Sequence, residues 1–345
     1  MIWDKKNLKS FKTNGLYNEG LTIQEIMKTC DLIIKEAPVT VMNKENSFAP
    51  DMHYYCSVGP YWWLDSVSGK YILKDGYVNP DYYKYDVKRL SVLESRCKYL
   101  SLAFYYSGDD RYYDALYKQL YTWFCDTNTY MYPNFEYAQV VPEKNKNKGN
   151  SYGIIEACAF NNIIESIRLV NNEKPLNKQL LNSLKQWFKD FALWMDYGVF
   201  GEELKKTDNN IGIAYDVVLV NMYLFAGIEQ RATEICNDFV TSRLNVQIND
   251  KGEQPRELER TKAFSYSVFN LKNIVDLIQL SEYCKIEDPK GLIKKTETAF
   301  DYLSQYIGHK EKFPYIEISD WDECEDSYFN QWKRFSKQKE KHIKN

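Results

Sequence analysis

Apolar residues recur at intervals of three or four positions through most of the chain, which is the spacing of one buried face of an α-helix. The clearest stripe consists of Leu90, Leu93, Cys97, Leu100 and Phe104. The polar residues 107–110 interrupt this stripe, and the same spacing resumes from Tyr113 to Phe124. The pattern predicts two antiparallel helices joined by a short turn. Similar stripes predict further helices at about 21–36, 154–170, 176–197, 215–227, 229–245, 268–285 and 291–306.

Few segments alternate between apolar and polar residues with a period of two, so neither an all-β nor a doubly wound α/β fold is expected. Residues 217–225 are apolar on all sides except at Asn221, which predicts a helix buried on both sides. The segments at 37–84, 127–152 and 198–214 are long, polar and non-helical in pattern, and long loops commonly carry function. We therefore predict an all-α fold, an incomplete (α/α) toroid or barrel of helical hairpins whose long loops form a cleft.

The chain has 345 residues, enough for one large domain or two small ones. No linker or abrupt change in composition divides it, so we predict a single domain over residues 1–332. Residues 333–345 are rich in lysine and form a charged C-terminal tail, for which a frayed helix and a disordered segment both remain open.

Aromatic residues are unusually frequent, because 29 Tyr, 8 Trp and 17 Phe together make up 16% of the chain. Tyrosine and tryptophan offer both a large apolar face and a polar edge. Both properties suit the binding of sugars, whose C–H faces stack on rings while their hydroxyls bond to polar edges. For most of these rings, however, we expect the ordinary role of filling contacts between helices.

Charge and cysteine content exclude several classes of protein. The net charge is −3, so no overall positive field attracts nucleic acid, and a polyanionic partner would need a local basic cleft. The eight cysteines include no C-x-x-C pair and predict reduced, mostly buried thiols. The three histidines form no metal-binding motif, and we expect neither a metal nor a cofactor.

No apolar stretch of about 18 residues is present, so no membrane-spanning helix is predicted. No leader sequence precedes Trp3. Two locations therefore remain open: the cytoplasm, or the periplasm or exterior after removal of a leader.

Seven short motifs follow one another in the order found in the alginate lyase superfamily, and the chain resembles that superfamily over roughly residues 2–310. The motifs are Ile2–Asp4, His53–Asp65, Tyr105–Tyr112, Asn134–Gln139, Asp208–Asp216, Arg256–Tyr266 and Tyr266–Leu271. The resemblance implies an α/α toroid and an enzyme that cleaves a 4-linked uronic-acid polymer by β-elimination. Its partner would be an acidic polysaccharide or oligosaccharide.

Such a reaction removes the C5 proton next to a carboxylate and expels the 4-linked oxygen. The enzyme must neutralise the carboxylate, supply a base and protonate the leaving oxygen. The resemblance implies that Asn210, or Asn209, contacts the carboxylate. It also implies that Tyr266 carries the proton and that Arg260 binds Tyr266 or the substrate. The alternatives are a helix cap for the two asparagines, a core ring for Tyr266 and a solvated charge for Arg260.

Further residues are expected to contact the substrate. They are His53, Tyr61, Trp62, Trp63, Tyr137, Gln139, Lys148, Tyr215 and Arg256. Lys144, Lys146 and Lys148 form a basic loop that could line a groove for a polyuronate, and a simple solvated loop is an equal alternative.

Ile211 stands where the superfamily usually has a histidine directly after the paired asparagines. Three explanations are open: Tyr266 serves as both base and acid on one face, His53 reaches the site from elsewhere, or catalysis is lost and binding is kept. A glycoside hydrolase is a further alternative that needs two facing carboxylates. Its candidates, chosen by count only, are Asp65, Asp75, Asp208, Asp216 and Glu257.

Overall fold

The computed structural model describes residues 2–3, 8–9 and 21–344, and most of them are helical. The chain divides into two compact units, Met1–Trp62 with Asn79–Met195 and Trp63–Val78 with Asp196–Asn345. Each unit consists mainly of helices, as the apolar stripes predict. A single domain over residues 1–332 stays a prediction. Of the first motif, Asp4 lies outside the described residues.

The first unit contains five helices among its described residues. They are α1 (Ile23–Ile33), α2 (Asp86–Ser107), α3 (Asp110–Phe124), α4 (Ala159–Glu173) and α5 (Lys178–Tyr197), the last two residues of α5 belonging to the second unit. The predicted hairpin at 107–110 is confirmed, because α2 ends at Ser107 and Asp109 caps α3 by accepting a hydrogen bond from the amide of Arg111. α2 packs on both α3 and α4.

Aromatic rings form much of the core of the first unit. The rings concerned are Phe124, Phe135, Phe160, Trp187, Phe188 and Phe191. All six side chains are buried, and burial of each contributes roughly 1.5–3 kcal/mol. Many of the rings therefore fill contacts between helices, as expected from the composition.

Four short strands lie within the long loops predicted between helices. β1 (Cys56–Val58) pairs in parallel with β4 (Tyr137–Val140), and β2 (Trp62–Leu64) pairs with β3 (Tyr71–Leu73). The pairing of β1 with β4 brings the aromatic motif around His53 beside the motif that ends at Gln139.

The second unit contains eight helices among its described residues. They are α6 (Val199–Leu204), α7 (Asn210–Ala226), α8 (Glu229–Phe239), α9 (Asn245–Gln247), α10 (Pro255–Leu258), α11 (Ala263–Ser281), α12 (Pro289–Ser304) and α13 (Trp321–Lys344). α7 packs on α8 and α11, and its residues from Val217 to Phe225 are buried except for the partly exposed Leu224. The predicted helix buried on both sides is confirmed. A turn of π-helix, Val240–Leu244, follows α8 directly.

The predicted loop at 198–214 is wrong in two places. α6 lies within it, and α7 begins at Asn210, five residues before the predicted start. The polar residues 208–210 conceal the early start, because Asn209 ends the loop as a helix cap. At the other end of the chain, residues 333–344 continue α13, whose Tyr328 and Phe335 pack on Phe300.

All eight cysteines are free thiols, as predicted. In the part of the chain that the structure describes, no helix is long and apolar enough to cross a membrane.

Candidate active site

The start of α7 holds the paired asparagines. Asn209 is the cap, and its side-chain oxygen accepts a hydrogen bond of 3.0 Å from the amide of Ile211. Asn210 is the first helical residue and is 5% exposed. The capping role considered from the sequence therefore applies to Asn209, and it leaves Asn210 with a different set of partners.

Glu257 holds Asn210 in place. Its carboxylate accepts a hydrogen bond of 2.8 Å from the backbone amide of Asn210 and another from the side-chain Nδ2. Glu257 is 1% exposed, and burial raises the pKa of its carboxyl group while the two bonds from Asn210 lower it. One Nδ2 hydrogen of Asn210 is thus directed at Glu257, and the amide orientation is fixed.

Arg260 lies between Asp75 and Tyr266. Its Nε is 3.1 Å from both carboxylate oxygens of Asp75, and its Nη2 is 2.5 Å from Oδ1. The guanidinium carbon lies 4.5 Å from the centroid of the Tyr266 ring, within the range of a cation–π contact. Burial lowers the pKa of Arg260, but the bonds to Asp75 and the nearby Tyr266 raise it overall, so the group is a permanent cation.

Thr261 and Gly76 complete this arrangement. The amide of Thr261 donates to Asp75 Oδ2 at 3.1 Å, and its hydroxyl donates to the Asp75 backbone carbonyl at 3.0 Å. Gly76 has φ of +76°, and a Cβ there would lie 2.4 Å from Thr261 Oγ1. The close approach of the two segments therefore requires glycine at position 76.

Tyr266 lies in the first turns of α11, a helix of 19 residues, and is partly exposed. The N-terminus of a helix carries a partial positive charge, and Arg260 adds a full one. Both favour negative charge that develops near this phenol. Its ring is thus partly exposed beside a cation rather than enclosed in the core, and its role as proton carrier stays a prediction.

Arg256 forms an exposed pair with Asp208, with its Nε 2.9 Å and its Nη2 2.7 Å from Asp208 Oδ2. Its side chain is 57% exposed, so the pair is screened by solvent. This pair and the bonds between Glu257 and Asn210 hold the motif Asp208–Asp216 beside the motif Arg256–Tyr266.

Arg243 supports the segment that leads into the asparagines. This side chain from the π-helix is 3% exposed and contacts both oxygens of Asp216, Nε at 2.7 Å and Nη2 at 3.1 Å. It also donates to three backbone carbonyls, those of Leu204, Lys205 and Thr207. Arg243 thereby joins the turns before Asn209 to Asp216 on α7.

In the first unit, His53 and Tyr137 belong to one aromatic group. The His53 ring lies about 5 Å from the rings of Tyr130 and Tyr132, and Tyr137 meets Tyr54 at 5.2 Å. His53 Nδ1 is 2.6 Å from the carbonyl oxygen of Tyr130 and donates a hydrogen bond to it.

Each of the two predicted tryptophan contacts, Trp62 and Trp63, has a lysine over its ring. Lys144 Nζ lies 3.7 Å from the ring centroid of Trp62 in the first unit. In the second unit, Lys74 lies 5.0 Å from Trp63, whose Nε1 donates to the Tyr77 carbonyl at 2.9 Å. Tyr61, next to Trp62, is partly exposed.

Gln139 lies over a buried carboxylate. Gln139 is 8% exposed and has φ of +51°. Its backbone amide donates a hydrogen bond of 2.8 Å to Ser57 Oγ. Glu156 accepts hydrogen bonds from Tyr55 and Ser57 at 2.7 Å and from Tyr82 at 3.0 Å. Burial raises the pKa of Glu156 to about 7, although these bonds and one from Gln139 oppose the shift. The positive φ of Gln139 is a strained backbone conformation, and such conformations are frequent at functional sites.

The basic loop is partly neutralised and strained. Lys148 pairs with Glu136 and has a half-exposed side chain. Four residues of this loop have positive φ although none is glycine: Glu143, Asn145, Lys146 and Asn147. Tyr215, in contrast, is 1% exposed on α7, and its burial leaves no surface for a sugar.

The structure therefore groups Asn209, Asn210, Arg256, Arg260 and Tyr266 in the second unit. The sequence did not identify the partners that hold these residues, except as candidate carboxylates of a glycoside hydrolase. Asp75, Asp208 and Glu257 each hold a predicted site residue, Asp216 pairs with Arg243, and Asp65 is bonded to Ser68 within its own turn. Among the described residues, no group of three His, Cys, Asp or Glu side chains is placed to hold a metal.

Comparison with known proteins supports the resemblance seen in the motifs. The family model described as alginate lyase matches residues 39–313. The chain belongs to the alginate lyase family. All thirteen predicted site residues, from His53 to Tyr266, lie inside the matched region. This alginate lyase family member is a polysaccharide lyase enzyme.

Two solved structures resemble the chain. An alginate lyase from Bacteroides ovatus is 31% identical, with a TM-score of 0.91 over 97% of this chain and 90% of that one. Alginate lyase A1-III from Sphingomonas species A1 is 12% identical, with a TM-score of 0.52 over 84% of this chain and 78% of that one. The matches confirm the predicted fold class, an all-α fold of the (α/α)-toroid type. Comparison with curated proteins gave no match.

Proposed function

We propose that this alginate lyase family member cleaves a 4-linked uronic-acid polymer, alginate or a glucuronate-containing glycan, by β-elimination. The observation that carries the proposal is the position of Arg260, held by Asp75 and 4.5 Å from the ring centroid of Tyr266. A fixed cation beside a phenol stabilises the phenolate that removal of a weakly acidic C5 proton requires.

In the proposed mechanism, Tyr266 is both base and acid. Its phenolate oxygen removes the C5 proton, and the electrons of the C5–H bond form the C4=C5 double bond as the C4–O bond breaks. The phenol then returns the proton to the departing oxygen, which restores the phenolate. The reaction needs a single face of the sugar ring and no imidazole, so Ile211 is compatible with it.

The substrate carboxylate is proposed to meet Asn210 and Arg260. Glu257 engages Nδ2 of Asn210 through one hydrogen and leaves the second hydrogen to donate. Asp75 engages Nε and Nη2 of Arg260, and Nη1 has no partner among the described residues. Asn209 remains a second amide donor, and Arg256 is proposed to contact the polymer from its exposed position.

The aromatic residues of the first unit are proposed to bind sugar rings. Trp62 and Tyr61 offer faces for stacking, while His53 and Tyr137 offer polar edges. Lys148 is proposed as a partner for a further uronate. Gln139 is proposed as a further contact, held in place by Ser57 and Glu156. Tyr215 is left out because it is buried.

Replacement of Tyr266 by phenylalanine tests the proposal. The appearance of the unsaturated product is followed by ultraviolet absorbance with mannuronan, guluronan and glucuronan as separate substrates. We expect the rate to fall by about 10²–10⁴-fold, the usual contribution of a positioned acid–base group. Tyr121→Phe is the matched control, because this ring is 44% exposed on α3 and outside the predicted site.

Three results would overturn the proposal. Near-normal activity of Tyr266→Phe would remove the proton carrier. Cleavage of glycosidic bonds without an unsaturated product would indicate hydrolysis. Binding of these polymers by the unmodified protein without any product would indicate a relative that has lost catalysis.

A further inference from the structure

Two of the eight thiols are close together. The Sγ atoms of Cys236 and Cys284 are 3.8 Å apart, although 48 residues separate them in the sequence. Both cysteines belong to the second unit, and neither lies among the residues assigned to substrate or catalysis. The pair therefore has no part in the proposed elimination.

The backbone holds the two cysteines in facing positions. Cys236 lies on α8 and is 3% exposed, whereas Cys284 lies in the turn after α11 and is partly exposed. The Cys284 amide bonds to the Ser281 carbonyl at 2.9 Å, and the amide of Glu287 bonds to the side chain of Asn237 at 2.9 Å. The segment that follows Cys284 is thus already attached to the helix that carries Cys236.

A disulfide needs a sulfur–sulfur distance of about 2.0 Å, so these sulfurs must approach by roughly 1.8 Å. Rotation of the two side chains can supply this approach. It does so more readily when one cysteine lies in a turn than when both lie in helices. Because Cys284 lies in the turn after α11, we expect its segment rather than α8 to supply this approach.

The two thiols also differ in exposure and in the direction of their pKa shifts. The hydrogen bond from Cys236, together with one from Thr233, lowers the pKa of Cys284, although burial opposes the shift. The same contact between the sulfurs and the burial of Cys236 raise the pKa of Cys236. A partly exposed thiolate beside a protonated thiol is the arrangement in which one sulfur attacks and the other resolves.

We propose that Cys236 and Cys284 are a redox-active dithiol site that forms a reversible disulfide with low-molecular-weight disulfides. The Cys284 thiolate attacks one sulfur of the reagent, forms a mixed disulfide and releases one thiolate. Cys236 then loses its proton and attacks Cys284, which releases the second thiolate and closes the bridge. The protein loses two electrons and two protons, and the reagent is reduced to two thiols.

The bridge would fix the turn after α11 to α8. The π-helix with Arg243 follows α8 directly, so the restrained helix leads into the residue that supports the turns before Asn209. A cross-link between segments 48 residues apart restricts the unfolded chain. We therefore expect the oxidised protein to have a higher melting temperature than the reduced protein.

Incubation of the folded protein with oxidised glutathione tests the site without any substrate, so the result is independent of the proposed lyase activity. After quenching, the protein is alkylated under denaturing conditions and mapped by mass spectrometry. We expect an intact mass lower by two hydrogens, six alkylated cysteines out of eight, and one cross-linked peptide pair that contains Cys236 and Cys284.

Variants separate the two roles. Cys236→Ser should accumulate one glutathione on Cys284, Cys284→Ser should stay reduced, and the control Cys97→Ser should form the bridge as the unmodified protein does. Eight alkylated cysteines after equilibration, a stable mixed disulfide on unmodified Cys284, or a bridge between other cysteines would each overturn the proposal. The measurement on the unmodified protein stands even where a variant fails to fold.

Discussion

Replacement of Arg243 by methionine removes a cation from the interior of the second unit. Methionine keeps an unbranched side chain but lacks the guanidinium group, so the change removes the charge and the hydrogen-bond donors. Asp216 then keeps a buried carboxylate without its cation. The carbonyls of Leu204, Lys205 and Thr207 lose the same donor.

The expected loss of stability follows from these contacts. Breaking a buried ion pair by removing one partner costs about 3–5 kcal/mol. A carbonyl left without a donor adds about 1–3 kcal/mol when water does not replace it, and such contributions do not simply add. We expect the free energy of unfolding to fall by about 4–6 kcal/mol.

A double-mutant cycle isolates the ion pair from the carbonyl bonds. Asp216→Asn alone leaves Arg243 unpaired, and the double variant Arg243→Met/Asp216→Asn contains no uncompensated carboxylate. We expect the double variant to be about 2–3 kcal/mol more stable than the sum of the single changes predicts. The four proteins are compared by urea unfolding at pH 7.

The pH dependence gives a further check on the same residue. Burial raises the pKa of Asp216 above its ordinary value, although Arg243 opposes the shift. Without Arg243 the pKa rises further, so the folded variant binds a proton more readily than the unfolded chain. Its stability should therefore increase as the pH falls through the raised folded pKa.

Arg111→Met is the control for loss of an arginine in general. Arg111 pairs with Asp109 on the surface and has a 61% exposed side chain, so we expect almost no change in the free energy of unfolding. A similar small loss for Arg243→Met, or additive effects in the cycle, would refute the reasoning from the buried pair.

Three further predictions concern other buried or constrained groups. Asp75→Asn should lower kcat/KM for the uronate polymer about tenfold or more by releasing Arg260. Burial raises the pKa of Asp75, but the bonds from Arg260 and Thr261 lower it overall, so the ionised carboxylate stabilises the folded protein. Only the unmodified protein should lose this contribution as the pH falls through the folded pKa. Glu156→Gln should flatten the decline in stability as the pH rises from about 4.5 to about 7, because over this range the folded carboxyl keeps a proton that the unfolded chain has lost. An unchanged slope in urea unfolding contradicts this. Gly252→Ala should cost at least about 2 kcal/mol by thermal unfolding, since φ is +86° and its Cβ would lie 2.1 Å from the Thr298 carbonyl.

Periodicity predicted the helices because a helix buries one face and thereby imposes a local pattern. The hairpin at 107–110 and the fully apolar helix around residues 217–225 both follow from that pattern. The start of α7 was misplaced, because Asn209 and Asn210 are polar for reasons that apolar periodicity does not register. One caps the helix, and the other is held by Glu257.

The candidate site was only partly predictable for a related reason. Asn210, Arg260 and Tyr266 were identified by their motifs, which are local strings of residues. Their carboxylate partners have no local signal, because Asp75 lies 185 residues from Arg260 and Glu257 lies 47 residues from Asn210. An arrangement made by contacts across the chain requires the structure.

These carboxylates change how recognition of an anionic polymer must work. Arg260 is partly buried, and an unpaired cation there would be costly in the protein without substrate, so Asp75 offsets its charge while it fixes its direction. Asp208 does the same for the more exposed Arg256. Under the proposed function, the second unit therefore presents a substrate carboxylate with directed hydrogen-bond donors rather than with a large excess of positive charge. That arrangement agrees with the small negative net charge of the chain, and we expect it to make discrimination between uronates depend more on geometry than on electrostatic attraction.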